Sequence, residues 1–73
     1  MNIINFYKKL KDEYAVRRIE KIDGLGGMTV NERLYVSGLM NEFDKCKQQD
    51  KERAKQILRW LKVDEQSIDR IIA

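Results

Sequence analysis

The amino-acid sequence predicts an all-α fold, a three-helix bundle with a short fourth helix at the C-terminus. Three observations point to it. The 73-residue chain has no proline, three of its four glycines fall between residues 24 and 27, and apolar residues recur every three or four positions elsewhere. Because proline and glycine are the residues that interrupt helices, we expect helix nearly everywhere outside a loop at 23–28. A chain of this length should form a single domain spanning 1–73.

The first helix is expected over about residues 2–22. Its first apolar stripe consists of Ile3, Phe6, Tyr7, Leu10 and Tyr14. Asn2 is of a residue type that caps helix N-termini. After Tyr14 the apolar positions move to Ala15, Ile19 and Ile22, which predicts a bend or a change of buried face near Ala15.

The second helix is expected over about residues 30–48. Thr29 and Glu32 have the spacing of a capping box, in which each side chain accepts a hydrogen bond from the other's backbone N–H. The helix presents two apolar or small-residue faces, which is typical of a helix at the centre of a bundle. One face holds Tyr35, Val36, Leu39, Met40, Phe43 and Cys46, and the other holds Val30, Leu34, Ser37, Gly38 and Asn41. Gly38 would let a neighbouring backbone approach closely.

Two further helices are expected at about residues 51–62 and 64–72. Asp50 and Asp64 precede them and can cap their N-termini. The apolar face of the third helix consists of Ala54, Ile57, Leu58 and Leu61, with Trp60 at its flank. The fourth helix has Ile68, Ile71 and Ile72 on one face.

The segment from Met28 to Asp44 resembles a group of small uncharacterised bacterial proteins. Those proteins read N-E-R-L-Y-x-S-G-L-x-x-x-F-D, followed by a charged turn and an I-L-x-x-V-x-L-type segment. The resemblance covers residues 28–63, about half of the chain, and residues 1–27 stand outside it. No activity is established for that group, so the resemblance implies no catalytic or binding residue. It suggests that the part beginning near Met28 is a separable unit.

The composition excludes several kinds of site. With no histidine and one cysteine, the chain has neither the ligands of a Cys/His zinc site nor a His-based catalytic triad, and it cannot form an intramolecular disulfide. A lone cysteine fits a reducing compartment, and no apolar run approaches the roughly 18 residues of a membrane-spanning helix. We therefore expect a non-enzymatic cytoplasmic protein without a metal, a cofactor or a membrane association.

Residues 45–62 are strongly basic, with seven Lys and Arg against two Asp and Glu. One interpretation is a nucleic-acid-binding patch that contacts phosphates, with Trp60 as a stacking platform. Its candidate residues are Lys51, Lys55, Arg59 and Lys62. The other interpretation is the solvated face of a bundle helix, in which the charged blocks of the chain neutralise one another.

Two more residues have alternative interpretations. Cys46 could be a reactive thiol activated by Lys45 and Lys47, but its position on the predicted apolar face favours a small buried residue. Arg33 is expected to form ion pairs at the surface.

The first two helices carry more apolar surface than a bundle this small needs. We therefore expect an interaction surface for a protein partner or for a second copy of the chain, with a homodimer as one possibility. Its candidate residues are Phe6, Tyr7, Tyr14, Tyr35 and Met40.

Overall fold

The computed structural model describes the backbone of residues 3–73 and the side chains of residues 9–73. The elements are α1 (Ile3–Glu20), a short 3-10 turn (Leu25–Gly27), α2 (Val30–Val36), α3 (Met40–Gln49), α4 (Lys51–Trp60) and α5 (Glu65–Ile72). The all-α class is confirmed for this part of the chain, and the turn falls inside the predicted loop. The number of helices differs from the prediction, since residues 3–73 form five α-helices where four were expected.

The additional helix arises because the predicted second helix ends at Val36 and a new one begins at Met40. Gly38 has a φ of 74°, a left-handed backbone conformation that ends a helix. The Leu39 N–H donates to the Leu34 carbonyl at 3.1 Å, and the Gly38 N–H donates to the Tyr35 carbonyl at 3.1 Å. These two bonds form a Schellman motif. The prediction of one long helix is therefore wrong. The group that lies close to Gly38 is the Arg18 guanidinium and not the predicted neighbouring backbone.

The predicted second helix keeps a central position only in its second half. That half, α3, packs against α2 and α4, and α4 in turn packs against α3 and α5. The α4 residues Ala54, Ile57 and Leu58 are fully buried, whereas Tyr35 and Val36 of α2 are exposed. The remaining buried apolar side chains are Ile19, Leu34, Leu39, Phe43, Leu61, Val63, Ile68 and Ile72.

α1 is one helix that continues without a break through Ala15. The second predicted stripe faces the core, since Ile19 is 4% exposed, whereas Leu10 and Tyr14 of the first stripe are exposed. The expected change from one buried face to another is therefore not observed among the described side chains. The predicted cap Asn2 lies outside the described residues.

Three predicted helix caps are confirmed. Thr29 and Glu32 form the full capping box, with the Glu32 N–H donating to Thr29 Oγ1 at 3.1 Å and the Thr29 N–H donating to Glu32 Oε1 at 3.0 Å. Asp50 accepts from the Arg53 N–H at 3.2 Å, and Asp64 accepts from the Ser67 N–H at 3.0 Å.

Arg33 bonds to backbone carbonyls, and the ion pairs that the sequence suggested for it are not found among the described side chains. Its guanidinium donates to the carbonyls of Met28 and Gly26 on one side at 3.1 and 3.3 Å. On the other side it donates to those of Leu61 and Lys62 at 3.0 and 3.1 Å. Arg33 thus joins the glycine-rich loop to the C-terminal end of α4. Its positive charge also interacts favourably with the negative end of the α4 helix dipole.

Within residues 3–73, no helix is both long enough and apolar enough to cross a lipid bilayer.

Candidate interaction surface

Four large apolar side chains are exposed at the surface of α1 and α2. They are Leu10 (47% exposed), Tyr14 (69%), Tyr35 (78%) and Val36 (47%). We call these four residues the tyrosine surface. Tyr14 and Tyr35 were candidates from the sequence, whereas Leu10 and Val36 had been assigned to buried stripes.

Of the other three candidates from the sequence, one is half-buried and the side chains of two are not described. Met40 is half-buried and packs against the core. The side chains of Phe6 and Tyr7 lie outside the described residues. Of the five candidates, the structure thus shows Tyr14 and Tyr35 to be exposed among the side chains that it describes.

α1 and α2 are joined beside this surface by a polar contact. The guanidinium of Arg18 donates to the carbonyl oxygen of Ser37. Arg18 lies one helical turn after Tyr14, and Ser37 directly follows Val36. Ser37 is itself buried, and its hydroxyl donates to the Leu34 carbonyl at 3.1 Å. The contact therefore joins α1 to the end of α2, and these two helices carry the exposed Tyr14 and Tyr35.

A second polar contact fastens α1 to α3 and α4. Arg53 of α4 forms a bidentate pair with Asp12 of α1, at 2.8 and 2.6 Å, and its Nη2 lies 3.1 Å from Glu42 Oε1 of α3. The same guanidinium stacks over the Trp60 ring, 5.1 Å from its centroid. Hydrogen bonding to Asp12 raises the pKa of Arg53. Sequence reasoning missed this cluster because Asp12 and Arg53 are 41 residues apart.

The basic candidates on α4 and just after it are partly engaged in ion pairs. Arg59 Nε lies 2.7 Å from Glu65 Oε1, and Lys55 Nζ lies 4.0 Å from Glu52 Oε1. Lys51 and Lys62 are exposed and have no ion-pair partner among the described side chains. Half of the predicted patch is therefore available to an anionic partner.

Trp60 also differs from the stacking platform that the nucleic-acid interpretation requires. It is half-buried against the core, and Arg53 covers part of its ring.

Cys46 is half-buried and packs against the core. Burial raises the pKa of its thiol, and the nearby Glu42 carboxylate adds to this effect. The neutral thiol is therefore favoured, as expected for a packing residue and opposite to an activated nucleophile.

Among the side chains that the structure describes, no group of three or more Cys, Asp or Glu is placed to hold a metal ion. Comparison of the chain with known protein families, with curated proteins and with solved structures gave no match.

Proposed function

We propose that this chain is a small non-enzymatic interaction module that binds another protein, or a second copy of itself, through the tyrosine surface. The observation that carries the proposal is the strong exposure of Tyr14 and Tyr35 on a molecule whose core is closed without them. Tyrosine suits such a role, because its ring supplies apolar contact area and its hydroxyl stays hydrogen-bonded.

The Arg18–Ser37 contact joins α1, which carries Tyr14, to the end of α2, which carries Tyr35. A surface whose supporting helices are joined loses less conformational entropy on binding. Phe6 and Tyr7, the other two aromatic candidates, precede Leu10 on the stripe that the sequence predicts for the first helix.

Self-association is tested by sedimentation over a range of protein concentrations. The homodimer form of the proposal predicts a mass that rises with concentration, and loss of this rise in the double variant Tyr14→Ser/Tyr35→Ser. A matched control is Gln48→Ser/Gln66→Ser, which alters two exposed polar residues elsewhere. The control should associate like the unmodified protein.

A different protein partner is tested by placing a photo-crosslinking residue at Tyr14, at Tyr35 or, as a control, at Gln48. The proposal predicts one crosslinked protein from the two tyrosine positions and none from Gln48. The purified partner should bind the unmodified chain and not the double tyrosine variant. A monomeric protein without position-specific crosslinks would overturn the proposal.

The alternative function is binding of nucleic acid, favoured by the exposure of Lys51 and Lys62. It predicts affinity for arbitrary oligonucleotides that falls steeply with salt, because phosphate contacts release counterions. Lys51→Gln/Lys62→Gln should make the salt dependence shallower, with the negative slope of log K against log salt reduced in magnitude by about 2. No binding at low salt would reject this function.

A further inference from the structure

A groove runs between α1 and α4, on the edge of α1 away from the Arg18–Ser37 contact. It consists of two adjoining cavities of about 540 and 520 Å³. Both are lined by Val16, Glu20, Gln56 and Trp60, so they form one continuous depression. Val16 and Trp60 are half-buried and give it an apolar wall. We call it the α1–α4 groove.

The first of the two cavities has an excess of negative charge. Glu13 and Glu20 line it, are exposed, and have no ion-pair partner among the described side chains. They are seven residues apart, which is about 10 Å along α1. Arg17 lies between them at the same rim. Asp12 also lines this cavity, but its charge is neutralised by Arg53.

The opposite end of the groove is lined by basic side chains. Arg59 and Lys62 line the second cavity, and Arg59 is paired with Glu65. The positive charge of Lys62 therefore lies away from Glu13, and the groove has a negative and a positive end.

Trp60 already binds one cation in this molecule. Arg53 stacks on its ring while the carboxylates of Asp12 and Glu42 hold the guanidinium. An indole face attracts cations through its quadrupole, and nearby carboxylates add Coulombic attraction. Arg53 does not line the groove, whereas Trp60, Glu13 and Glu20 all line its first cavity.

From this charge complementarity we propose that the α1–α4 groove binds a basic side chain, an arginine or a lysine, carried by a segment of a protein partner. Its alkyl stem would pack on Val16 and Trp60, and its charged group would pair with the carboxylate of Glu13 or of Glu20 beside Arg17. The proposal goes beyond the tyrosine surface, because it uses the other edge of α1 and different residues. Either site can exist without the other.

Trp60 is the only tryptophan of the chain, so its fluorescence reports on this groove directly. The full chain is titrated with a capped four-residue peptide containing two arginines, and with the same peptide containing citrulline, which keeps the shape but not the charge. We expect a saturable change in emission and a shift of the Trp60 indole N–H signal by NMR. The citrulline peptide should bind at least about tenfold more weakly.

Two charge variants should shift the affinity in opposite directions. Glu13→Gln/Glu20→Gln should weaken binding of the arginine peptide about fivefold. Arg17→Gln, which removes a competing cation from the same rim, should strengthen it about twofold. All three residues are exposed, so these changes leave the core intact.

The control is Asp44→Asn, which removes an exposed carboxylate of α3 that does not line the groove. Its affinity should stay within about twofold of the unmodified chain, because water and salt screen an exposed charge that makes no contact with the peptide. Equal weakening in this control and in the groove variant would overturn the proposal. So would equal affinity for both peptides, or no change in either Trp60 signal.

Discussion

Gly38 and Lys62 both adopt left-handed backbone conformations and end their helices in the same way. Lys62 has a φ of 65° and follows α4, as Gly38 follows α2. In both cases the next residue donates a hydrogen bond back across the turn, from Leu39 to Leu34 and from Val63 to Leu58. This conformation favours glycine, which is present at position 38 but not at position 62. Replacing Gly38 is therefore expected to lower stability, and introducing glycine at position 62 to raise it.

Gly38→Ala should destabilise the protein by about 1–2 kcal/mol, the usual cost of a left-handed L-residue. An added Cβ would also lie 2.6 Å from Arg18 Nη2 and would displace the guanidinium from Ser37. Urea unfolding followed by circular dichroism measures the change. Gly26→Ala is the control, since nothing lies within 4 Å of its Cβ position, and it should leave stability unchanged or raise it by about 0.5 kcal/mol. Equal losses in the two variants would contradict this account.

Lys62→Gly should stabilise the protein by about 1 kcal/mol, because glycine relieves the left-handed conformation. The same substitution at Lys51, in the first turn of α4, should instead destabilise by up to about 1 kcal/mol. Thermal unfolding of both variants tests the sign. A loss of stability in Lys62→Gly would mean that its side chain contributes more than its backbone strain costs.

At the scale of the elements, most helix starts are set by local caps. Asp64 caps α5 and accepts from both the hydroxyl and the backbone N–H of Ser67, at 2.7 and 3.0 Å. These bonds lower the pKa of Asp64, with the hydroxyl contributing most. Hydrogen bonds to Thr29 likewise lower the pKa of Glu32 at the start of α2.

The Asp64 cap predicts a pH dependence of stability. A carboxyl with a lowered folded-state pKa stabilises the fold above its unfolded pKa, about 4, and this contribution is lost as the pH falls through the folded-state pKa. Asp64→Asn keeps an acceptor oxygen but does not titrate. The unmodified protein should therefore be more stable than the variant at pH 6, and this difference should disappear toward pH 2.

Urea midpoints at several pH values measure this difference. Asp69→Asn is the control, since it removes the same charge from the middle of α5 without altering the cap. A stability difference for Asp64→Asn that is constant with pH would show that the ionised carboxyl is not the stabilising form.

At the scale of the whole molecule, α1 contributes little to the core. Ile19 is the one buried apolar side chain that α1 supplies among its described residues, and all the others lie between 34 and 72. Half-buried Ala15 and the contacts of Asp12 and Arg18 complete its attachment. The helices after the loop therefore form a core that is nearly closed without α1.

A fragment spanning residues 28–73 should fold by itself into α2–α5. Its free energy of unfolding should be lower by about 3 kcal/mol, mainly through the loss of Ile19 burial. The peptide 1–27 should show little helix, because isolated helices of this length are marginal in water. Circular dichroism and urea unfolding test both fragments. A 28–73 fragment without a cooperative transition would show that α1 completes the core.

The sequence alone determined the all-α class and the places where most helices begin. Caps such as those of Thr29 and Asp64 act over three residues, so the chemistry that positions them is visible in a short stretch of sequence. The break at Gly38 was missed because the same apolar spacing fits one long helix or two short ones. Only the backbone conformation distinguishes them.

Tertiary structure decided which apolar residues are buried and which side chains form sites. Tyr14 and Tyr35 were recognisable as aromatic positions, but their exposure depends on how α1 and α2 pack. Arg33 reaches carbonyls 28 and 29 residues away, and Arg53 reaches Asp12 across 41 residues. Such contacts leave no local pattern, because they depend on the distance between helices and not on spacing along the chain. The α1–α4 groove also depends on tertiary structure, since it exists only where α1 lies against α4.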